Sequence, residues 1–191
     1  MKKILLYILV ALSVSAAAQK PPIYIAFQWH MHQPVYWPGE TVKQTIDAHR
    51  MSYNLLDVFT SRTGPYTTYA PGAVNKLTGF EHAGAQVSFS GSLMEDLNVL
   101  EANGMAFANW KQNWNAMTSK KTSPGNQRLD MVGFGYYHPL MPLLDSMDIG
   151  YHIEKHKDAF AANFPGLPYS KGFFPPECAF EEQMIPSLVK Q

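Results

Sequence analysis

The sequence predicts an α/β fold in which parallel strands alternate with helices. Apolar, β-rich runs of strand length recur along the chain, and a segment with helical spacing follows each of them. Because parallel neighbours need helical crossovers, a series of such units favours a parallel sheet. About four β/α units are predicted, with strands at residues 23–29, 85–90, 129–135 and 172–174.

The helices are predicted from apolar spacing and from residues that begin or end helices. Gly104, for example, is a good C-cap for the helix that follows the second strand. A short helix is predicted after Pro71. The other predicted helices cover residues 41–61, 92–104, 106–117, 140–147, 151–163 and 179–190.

Polar or titratable side chains come after all four predicted strands. His30 and His32 end the first strand, Glu95 comes soon after the second, His138 follows the third, and Glu177 follows the fourth. In β/α barrels the chemistry lies on the loops after the strands, so this arrangement favours a barrel enzyme. A doubly wound sheet is the alternative, but no Gly-rich phosphate loop follows the first strand.

The length and the N-terminus add two expectations. A closed barrel takes about 250 residues, so this chain of 191 residues is expected to be the N-terminal part of a longer catalytic domain, inactive or unstable alone. Residues 1–18 have two lysines, a short apolar run and small residues before a cleavage site, which predicts a signal peptide. The domain, residues 19–191, is expected to be exported to the periplasm or the extracellular space, without membrane attachment after cleavage.

Charge and cysteine content exclude several classes of protein. Without Lys2 and Lys3 the chain has 13 basic and 15 acidic residues and no basic run, so nucleic acid is not an expected partner. A single cysteine cannot form an internal disulfide, which excludes a disulfide-stapled scaffold.

The segment WHMHQP carries the first candidate site residues. His30 and His32 share one face of a strand because side chains at i and i+2 point the same way. They could bind a metal ion, donate hydrogen bonds to sugar hydroxyls or hold a catalytic carboxylate. Gln33 adds an amide donor and acceptor, and Pro34 ends the strand.

The segment SGSLMEDL carries the second. Gly91 permits close approach of a ligand or an unusual backbone angle. Ser90 or Ser92 can cap the following helix, and Glu95 either completes a capping box or serves a functional site.

Three further histidines have both a functional and a plain interpretation. His138 follows a strand in GYYHPLMPLL and is a candidate, although a loop histidine packed on aromatic rings is the plain alternative. His152 and His156 have the helical i, i+4 spacing of a metal-binding motif, but the expectation for them is a solvated helix face.

The segment GFFPPECAFEE presents Glu177 at a rigid corner. Pro175 and Pro176 lack N–H groups and fix φ, so the strand must stop there. A helix starting at this point would favour the ionised carboxylate, which suits a nucleophile. Cys178 is expected to be a small buried hydrophobic residue rather than a nucleophile.

Together these segments resemble glycoside hydrolase family 57, the α-amylase, amylopullulanase and 4-α-glucanotransferase group. The matching stretches are HMHQP, GSLME, YYHPLMPLL and FFPPECAF, in the family's order. The resemblance implies an incomplete (β/α)7 barrel, TIM-like, and retaining hydrolysis of α-glucosidic bonds in starch- or glycogen-like polysaccharides. It implies Glu177 as the nucleophile and substrate contacts from His30, His32 and Glu95; Gln33 and His138 complete the predicted substrate-binding set.

Two departures from the family pattern qualify these implications. The family's acid/base is an Asp in a Thr-x-Asp-Ala-Asp-like motif that this sequence does not contain, and no Asp here is assigned that role. Phe174 stands where the family often has Trp, which is expected to alter packing beside the nucleophile.

Two other functions fit part of the sequence. One is a metal-dependent barrel hydrolase, such as a polysaccharide deacetylase, with zinc bound by His30, His32 and His138. The other is a non-catalytic carbohydrate-binding protein, consistent with the many aromatic residues. Under the glycosidase hypothesis no metal or cofactor is required, and the partner is an α-glucan.

Overall fold

A parallel three-stranded sheet lies within the computed structural model, which describes residues 23–190. The strands are β1 (Gln28–Met31), β2 (Ala85–Phe89) and β3 (Leu129–Val132), in the order β1-β2-β3. The predicted α/β class with parallel strands is therefore confirmed. The predicted signal peptide lies outside the described residues, and no helix within them has the length and apolar character that crossing a membrane requires.

Helices connect the strands, and short 3₁₀ turns occur between them. The first crossover carries four helices, which lie between β1 and β2, and the second carries two, between β2 and β3. The α-helices are α1 (Val42–Asp47), α2 (Leu55–Thr60), α3 (Thr63–Thr67), α4 (Tyr69–Lys76), α5 (Gly91–Ala102), α6 (Gln112–Asn115), α7 (Ser146–Asn163) and α8 (Ile185–Lys190). The 3₁₀ turns are Ala116–Ser119, Met141–Leu143, Pro176–Cys178 and Glu182–Met184.

The end of the central strand is anchored in an aromatic cluster. Phe89, the last residue of β2, stacks on Trp110 and meets Trp114 edge-on, with ring centroids 5.7 Å apart in both pairs. Phe164, which follows α7, also packs against Phe89 and Trp110. All four rings are almost completely buried. Burying a large aromatic ring contributes about 2–3 kcal/mol, so this cluster fixes the place where β2 ends.

The fourth predicted strand is reduced to a single parallel bridge between Gly133 and Phe173. Gly133 donates its N–H to the Gly172 carbonyl at 2.8 Å and accepts from the Phe174 N–H at 2.9 Å. Pro175 and Pro176 then end the pairing because neither can donate a ladder hydrogen bond. The segment therefore lies next to β3, as predicted, but is too short to count as a strand.

Several predicted helices have different bounds in the structure. The helix predicted at 41–61 is two helices, α1 and α2, separated at His49, whose φ is +49°, and restarted by the side-chain cap of Asn54. The helix predicted at 140–147 is only a 3₁₀ turn, because α7 starts anew from the cap of Asp145. The helix predicted after Pro71 begins at Tyr69 and includes that proline in its first turn.

Other elements also differ from their predicted bounds: α7 begins at Ser146, earlier than predicted, and β3 ends at Val132, earlier than predicted. Phe107 and Asn109, both with positive φ, confine the helix predicted at 106–117 to α6 and a 3₁₀ turn. The helix predicted at 179–190 begins only at Ile185. Strand β1 begins at Gln28, later than predicted, and extends through His30 to Met31.

Candidate active site

The predicted strand-end residues of β1, β3 and the bridged segment meet at one edge of the sheet. His30 lies in β1 and His32 just after it, His138 follows β3, and Glu177 follows the bridge. Parallel strands place their carboxyl ends at the same edge, which brings these four side chains together. The polar edge that the sequence predicted is thus present, with three imidazoles and one carboxylate.

A chain of short contacts links three of these groups. His30 Nδ1 lies 2.8 Å from Ser88 Oγ, and His30 Nε2 lies 3.0 Å from His138 Nε2. His138 Nε2 is in turn 3.5 Å from Glu177 Oε1. Partial burial and the nearby His138 lower the pKa of His30, while the charge of Glu177 opposes this shift. One of the two facing Nε2 atoms must donate a hydrogen bond to the other.

His32 lies against the face of His138. Their rings stack with centroids 4.1 Å apart and an angle of 26° between the planes. Burial lowers the pKa of His32 to about 3, helped by the proximity of His138 and His30. His32 is therefore a neutral imidazole at physiological pH, able to form hydrogen bonds without carrying charge.

Glu177 projects from a strained turn and not from a helix terminus. The segment Pro176–Cys178 is one 3₁₀ turn, and Glu177 has φ +56° and ψ +20° within it. The next α-helix begins only at Ile185, so the expected helix N-terminus beside the carboxylate is wrong. The Glu177 side chain is 67% exposed, whereas that of His138 is 9% exposed. The carboxylate is thus open to an approaching ligand.

The neighbour of Glu177 is also placed differently from the prediction. Cys178 is an exposed free thiol with φ +56°, so the expectation of a buried hydrophobic residue is wrong. A left-handed backbone at two successive non-glycine residues turns both side chains outward. Such strain costs about 1–2 kcal/mol per residue and is characteristic of functional sites.

Glu95 forms a hydrogen bond with a tyrosine and is not part of a capping box. Ser90 is the N-cap of α5, accepting from the Leu93 N–H, so the third helical position is Leu93 and Glu95 lies beyond it. The carboxylate of Glu95 accepts a hydrogen bond of 2.8 Å from Tyr136 Oη. Together with Tyr137, Glu95 lines a cavity of ≈ 270 Å³. The open alternative at Glu95 is therefore settled against capping.

Gln33 is directed into the fold. It is 6% exposed, its amide nitrogen donates to Tyr66 Oη at 2.6 Å, and its amide oxygen accepts from Tyr36 Oη. With both ends of the amide engaged, the side chain holds the turn after β1. Direct substrate contact by Gln33 stays a prediction, separate from the contacts that the structure gives it.

His156 is a buried structural residue, which contradicts the expectation of a solvated helix face. It is 2% exposed, and its nitrogens lie 2.8 Å from the Phe89 carbonyl and 2.9 Å from Tyr169 Oη. Burial lowers its pKa to about 4. His156 thereby joins α7 to the end of β2 as a neutral imidazole.

An aromatic wall borders the histidines, and neither of its two rings, Phe134 and Phe174, was among the predicted site residues. Phe134 and Phe174 stack with centroids 6.0 Å apart and planes within 10°. The ring of His30 lies 5.3 Å from Phe134 and 5.6 Å from Phe174. Phe174 therefore packs directly beside the histidine cluster. For Phe134 the available sequence signal was its place just after β3, at the edge where the polar residues meet.

Asp96 is a buried carboxyl group near the site whose ionised form is disfavoured. Its Oδ2 is buried without a hydrogen-bond partner among the described residues, and the side chain borders the same cavity as Glu95. Burial, with a smaller contribution from the charge of Glu95, raises the pKa of Asp96 from 3.8 to about 8. The folded state therefore holds this proton more tightly than the unfolded state does.

We expect the contribution of Asp96 to the stability of the protein to fall as pH rises from about 4 to about 8, because folding then retains a proton that the unfolded chain releases. Asp96→Asn should remove this loss, raising the free energy of unfolding at pH 8 by a few kcal/mol, with little change at pH 4. Chemical denaturation at both pH values measures the difference. An equal effect of the substitution at pH 4 and pH 8 would contradict a raised pKa.

Comparisons with known proteins show the family to which the chain belongs. A model of the family described as glycosyl hydrolase family 57 matches residues 26–191. The chain belongs to glycosyl hydrolase family 57. All four stretches on which the resemblance was based lie within the matched range.

Family 57 membership is accompanied by a similarity to one curated relative. The chain is 34% identical over 142 residues to a protein named "Alpha-amylase" from Niallia circulans. The alignment covers 68% of this chain and 11% of the relative. The chain thus spans about a ninth of that protein's length.

Two solved structures share the fold. One is the 4-alpha-glucanotransferase from Thermococcus litoralis, at a TM-score of 0.55 and 20% identity. The other is the alpha-amylase AmyC from Thermotoga maritima, at a TM-score of 0.52 and 12% identity. Each alignment covers 86% of this chain. The aligned part is 20% of the glucanotransferase and 37% of AmyC.

The zinc centre of the deacetylase alternative would need His30, His32 and His138 to converge on one ion. Within residues 23–190, no group of three or more His, Cys, Asp or Glu side chains is arranged to hold a metal ion. His32 and His138 stack face to face.

Proposed function

We propose that this chain contributes to a retaining glycoside hydrolase that acts on α-glucosidic bonds of starch- or glycogen-like glucans, with Glu177 as the nucleophile. Membership of family 57 supports the substrate class. The observation that carries the residue assignment is the exposed carboxylate of Glu177, 3.5 Å from His138, at an edge lined by three histidines.

Each group of the site has a role in this proposal. Glu177 attacks the anomeric carbon and forms a covalent glycosyl intermediate. His138 lies within 3.5 Å of the carboxylate and helps to orient it. His30, His32 and Glu95 bind sugar hydroxyls. Retention requires a second carboxyl group about 5–5.5 Å from the nucleophile, and we assign it to the Asp of a family motif that residues 1–191 do not contain.

The strain at Glu177 supports the same assignment. The structure holds a non-glycine residue in the left-handed region immediately after two prolines. Strained backbone of this kind clusters at active sites, where the surrounding structure holds it in place. A nucleophile gains a fixed direction of approach, which reduces the entropy lost in reaching the reactive geometry.

The test is the stereochemistry of glucan cleavage by the full-length gene product. Maltohexaose is the substrate, and ¹H NMR follows the anomeric signals during the first minutes. We expect the α-anomer to appear first, because double displacement retains configuration. Initial β-anomer would contradict a retaining mechanism, and cello-oligosaccharides serve as the control that should remain intact.

Two additions to this experiment separate the alternatives. Dialysis against EDTA should leave the rate unchanged, whereas a zinc hydrolase would lose activity. Glucan binding without any cleavage would favour a non-catalytic binding protein.

We also propose export of the protein on the basis of residues 1–18. The N-terminus of the secreted product, read from its mass, should then be Gln19.

A further inference from the structure

The two site histidines of the first strand face two serines of the second. The parallel register pairs His30 with Ser88, and two residues further along, the Ser90 N–H donates to the Met31 carbonyl. The side chains follow the same alignment: His30 Nδ1 lies 2.8 Å from Ser88 Oγ and His32 Nδ1 lies 3.0 Å from Ser90 Oγ. A His-x-His motif at the end of β1 is thus matched by a Ser-x-Ser motif at the end of β2.

Ser90, which lies opposite His32, belongs to a chain of hydrogen-bonded hydroxyl groups. The donor and acceptor of each hydrogen bond follow from the last bond of the chain. Ser92 Oγ lies 2.7 Å from the carbonyl of Gln33, and since a carbonyl only accepts, Ser92 must donate its proton there. Ser90 Oγ lies 3.2 Å from Ser92 Oγ. With the Ser92 proton committed, the hydrogen bond between the two serines must be donated by Ser90.

The same accounting then fixes the proton of His32. Ser90 Oγ has given its only proton to Ser92 and already accepts from the Leu93 N–H at 3.3 Å. Its second lone pair faces His32 Nδ1 at 3.0 Å. A hydrogen bond at this distance therefore requires a proton on Nδ1. Ser90 is fully buried and Ser92 is 3% exposed, so water does not compete for these groups.

We propose that the Ser92–Ser90 chain holds His32 in the tautomer protonated at Nδ1, leaving Nε2 as an obligatory hydrogen-bond acceptor for a hydroxyl group of the glucan. Ser90 and Ser92 are then positioning residues, acting on the ligand only through His32. The tautomer is argued from this chain's hydrogen bonds alone, whereas the assignment of the ligand as a glucan rests on the proposed function.

This arrangement has a consequence for substrate recognition. His32 stays uncharged because burial holds its pKa near 3, so it cannot donate from Nε2 by gaining a proton. A sugar hydroxyl that meets Nε2 must act as a donor. A substrate analogue in which that hydroxyl is replaced by a methoxy group would present only an acceptor, leaving two lone pairs opposed.

Histidine tautomers are directly measurable by long-range ¹H–¹⁵N correlation NMR on protein labelled with ¹⁵N-histidine. The signals of His32 are assigned by their loss in His32→Gln. In the wild type at pH 7 we expect Nε2 of His32 to have the shift of an unprotonated nitrogen and Nδ1 that of a protonated one. The opposite pattern, or an averaged shift for both nitrogens, overturns the proposal.

Ser92→Ala is the variant that tests the chain of hydroxyls. It leaves both Ser90 contacts in place, the one to His32 and the helix cap to Leu93. It removes the acceptor of the Ser90 proton, which can then be donated to His32 Nδ1. We expect the His32 signals to move toward the Nε2-protonated pattern. An unchanged tautomer in a folded Ser92→Ala protein overturns the role of Ser92.

Ser88→Ala is the matched control, since Ser88 faces His30 and not His32. It should perturb the signals of His30 and leave the tautomer of His32 intact. Adding maltohexaose to the wild type should shift His32 Nε2 upfield, as an accepted hydrogen bond does. If the tautomer is as expected but no glucan shifts it, the ligand assignment and the proposed function fail while the hydroxyl chain stands.

Discussion

Replacing Glu177 with Gln in the full-length protein is expected to lower kcat on α-glucans by at least about a thousandfold. Glutamine has the same shape but cannot form the glycosyl ester. The substitution removes the covalent route and keeps the contacts of the binding site. Because the Glu177 side chain is 67% exposed, the midpoint of thermal unfolding should change little. Initial rates of reducing-end release and a thermal melt measure the two quantities.

The control for this substitution is another exposed glutamate near the same stretch. Glu181 accepts a hydrogen bond from Gln183, and Glu181→Gln removes one charge from the region without touching the histidine cluster. It should retain nearly full activity. A Glu177→Gln enzyme that keeps more than a tenth of the wild-type kcat would exclude Glu177 as the nucleophile, whatever the effect on KM.

The parallel sheet and its reactive edge were predictable because they depend on local patterns. The run of residues 85–90 has the length and the apolar–polar alternation of a strand, and β2 occupies nearly the same range. Parallel strands share one carboxyl edge, so polar residues after each strand had to meet. His30, His32, His138 and Glu177 were brought together by this rule alone.

Helix bounds were less predictable because the apolar spacing continues across interruptions. Residues 41–61 keep helical periodicity, yet the chain turns at His49 with positive φ and begins again at Asn54. A capping box is present at Thr41 and Gln44, whereas the local sequence also allowed one at Glu95. Helix caps and interruptions each depend on only one or two residues, so the longer apolar pattern dominates a prediction of helix bounds.

Contacts between distant residues could not be predicted from local sequence. Glu95 accepts from Tyr136 and His156 lies between Phe89 and Tyr169, pairs separated by 41, 67 and 13 residues along the chain. For Glu95 the nearby Ser90 offered a local explanation, and for His156 the charged neighbours suggested a solvated face. In each case a partner from another element decided the role of the side chain.

Gly91→Ala is expected to destabilise the protein by about 2–4 kcal/mol, because overpacking a rigid core displaces neighbouring groups. Gly91 was expected to allow the approach of a ligand or an unusual backbone angle. The structure shows that its missing side chain makes room for the Tyr136 ring, which a Cβ would overlap. Tyr136 is 6% exposed, and its backbone carbonyl accepts a hydrogen bond from the Ser92 N–H at 3.1 Å. The ring therefore has little freedom to move.

The displacement should also reach the site, because Tyr136 Oη donates to Glu95. We therefore expect Gly91→Ala to raise KM for glucans in addition to lowering the unfolding midpoint by about 5–15 °C. Gly72→Ala is the matched control: Gly72 also lies in a helix, α4, but a Cβ added there would have no atom within 4 Å. Alanine there should stabilise the protein by about 0.5–1 kcal/mol. If both substitutions stabilise the protein equally, Tyr136 is not packed on Gly91. The hydrogen bond from Tyr136 to Glu95 then does not depend on that packing.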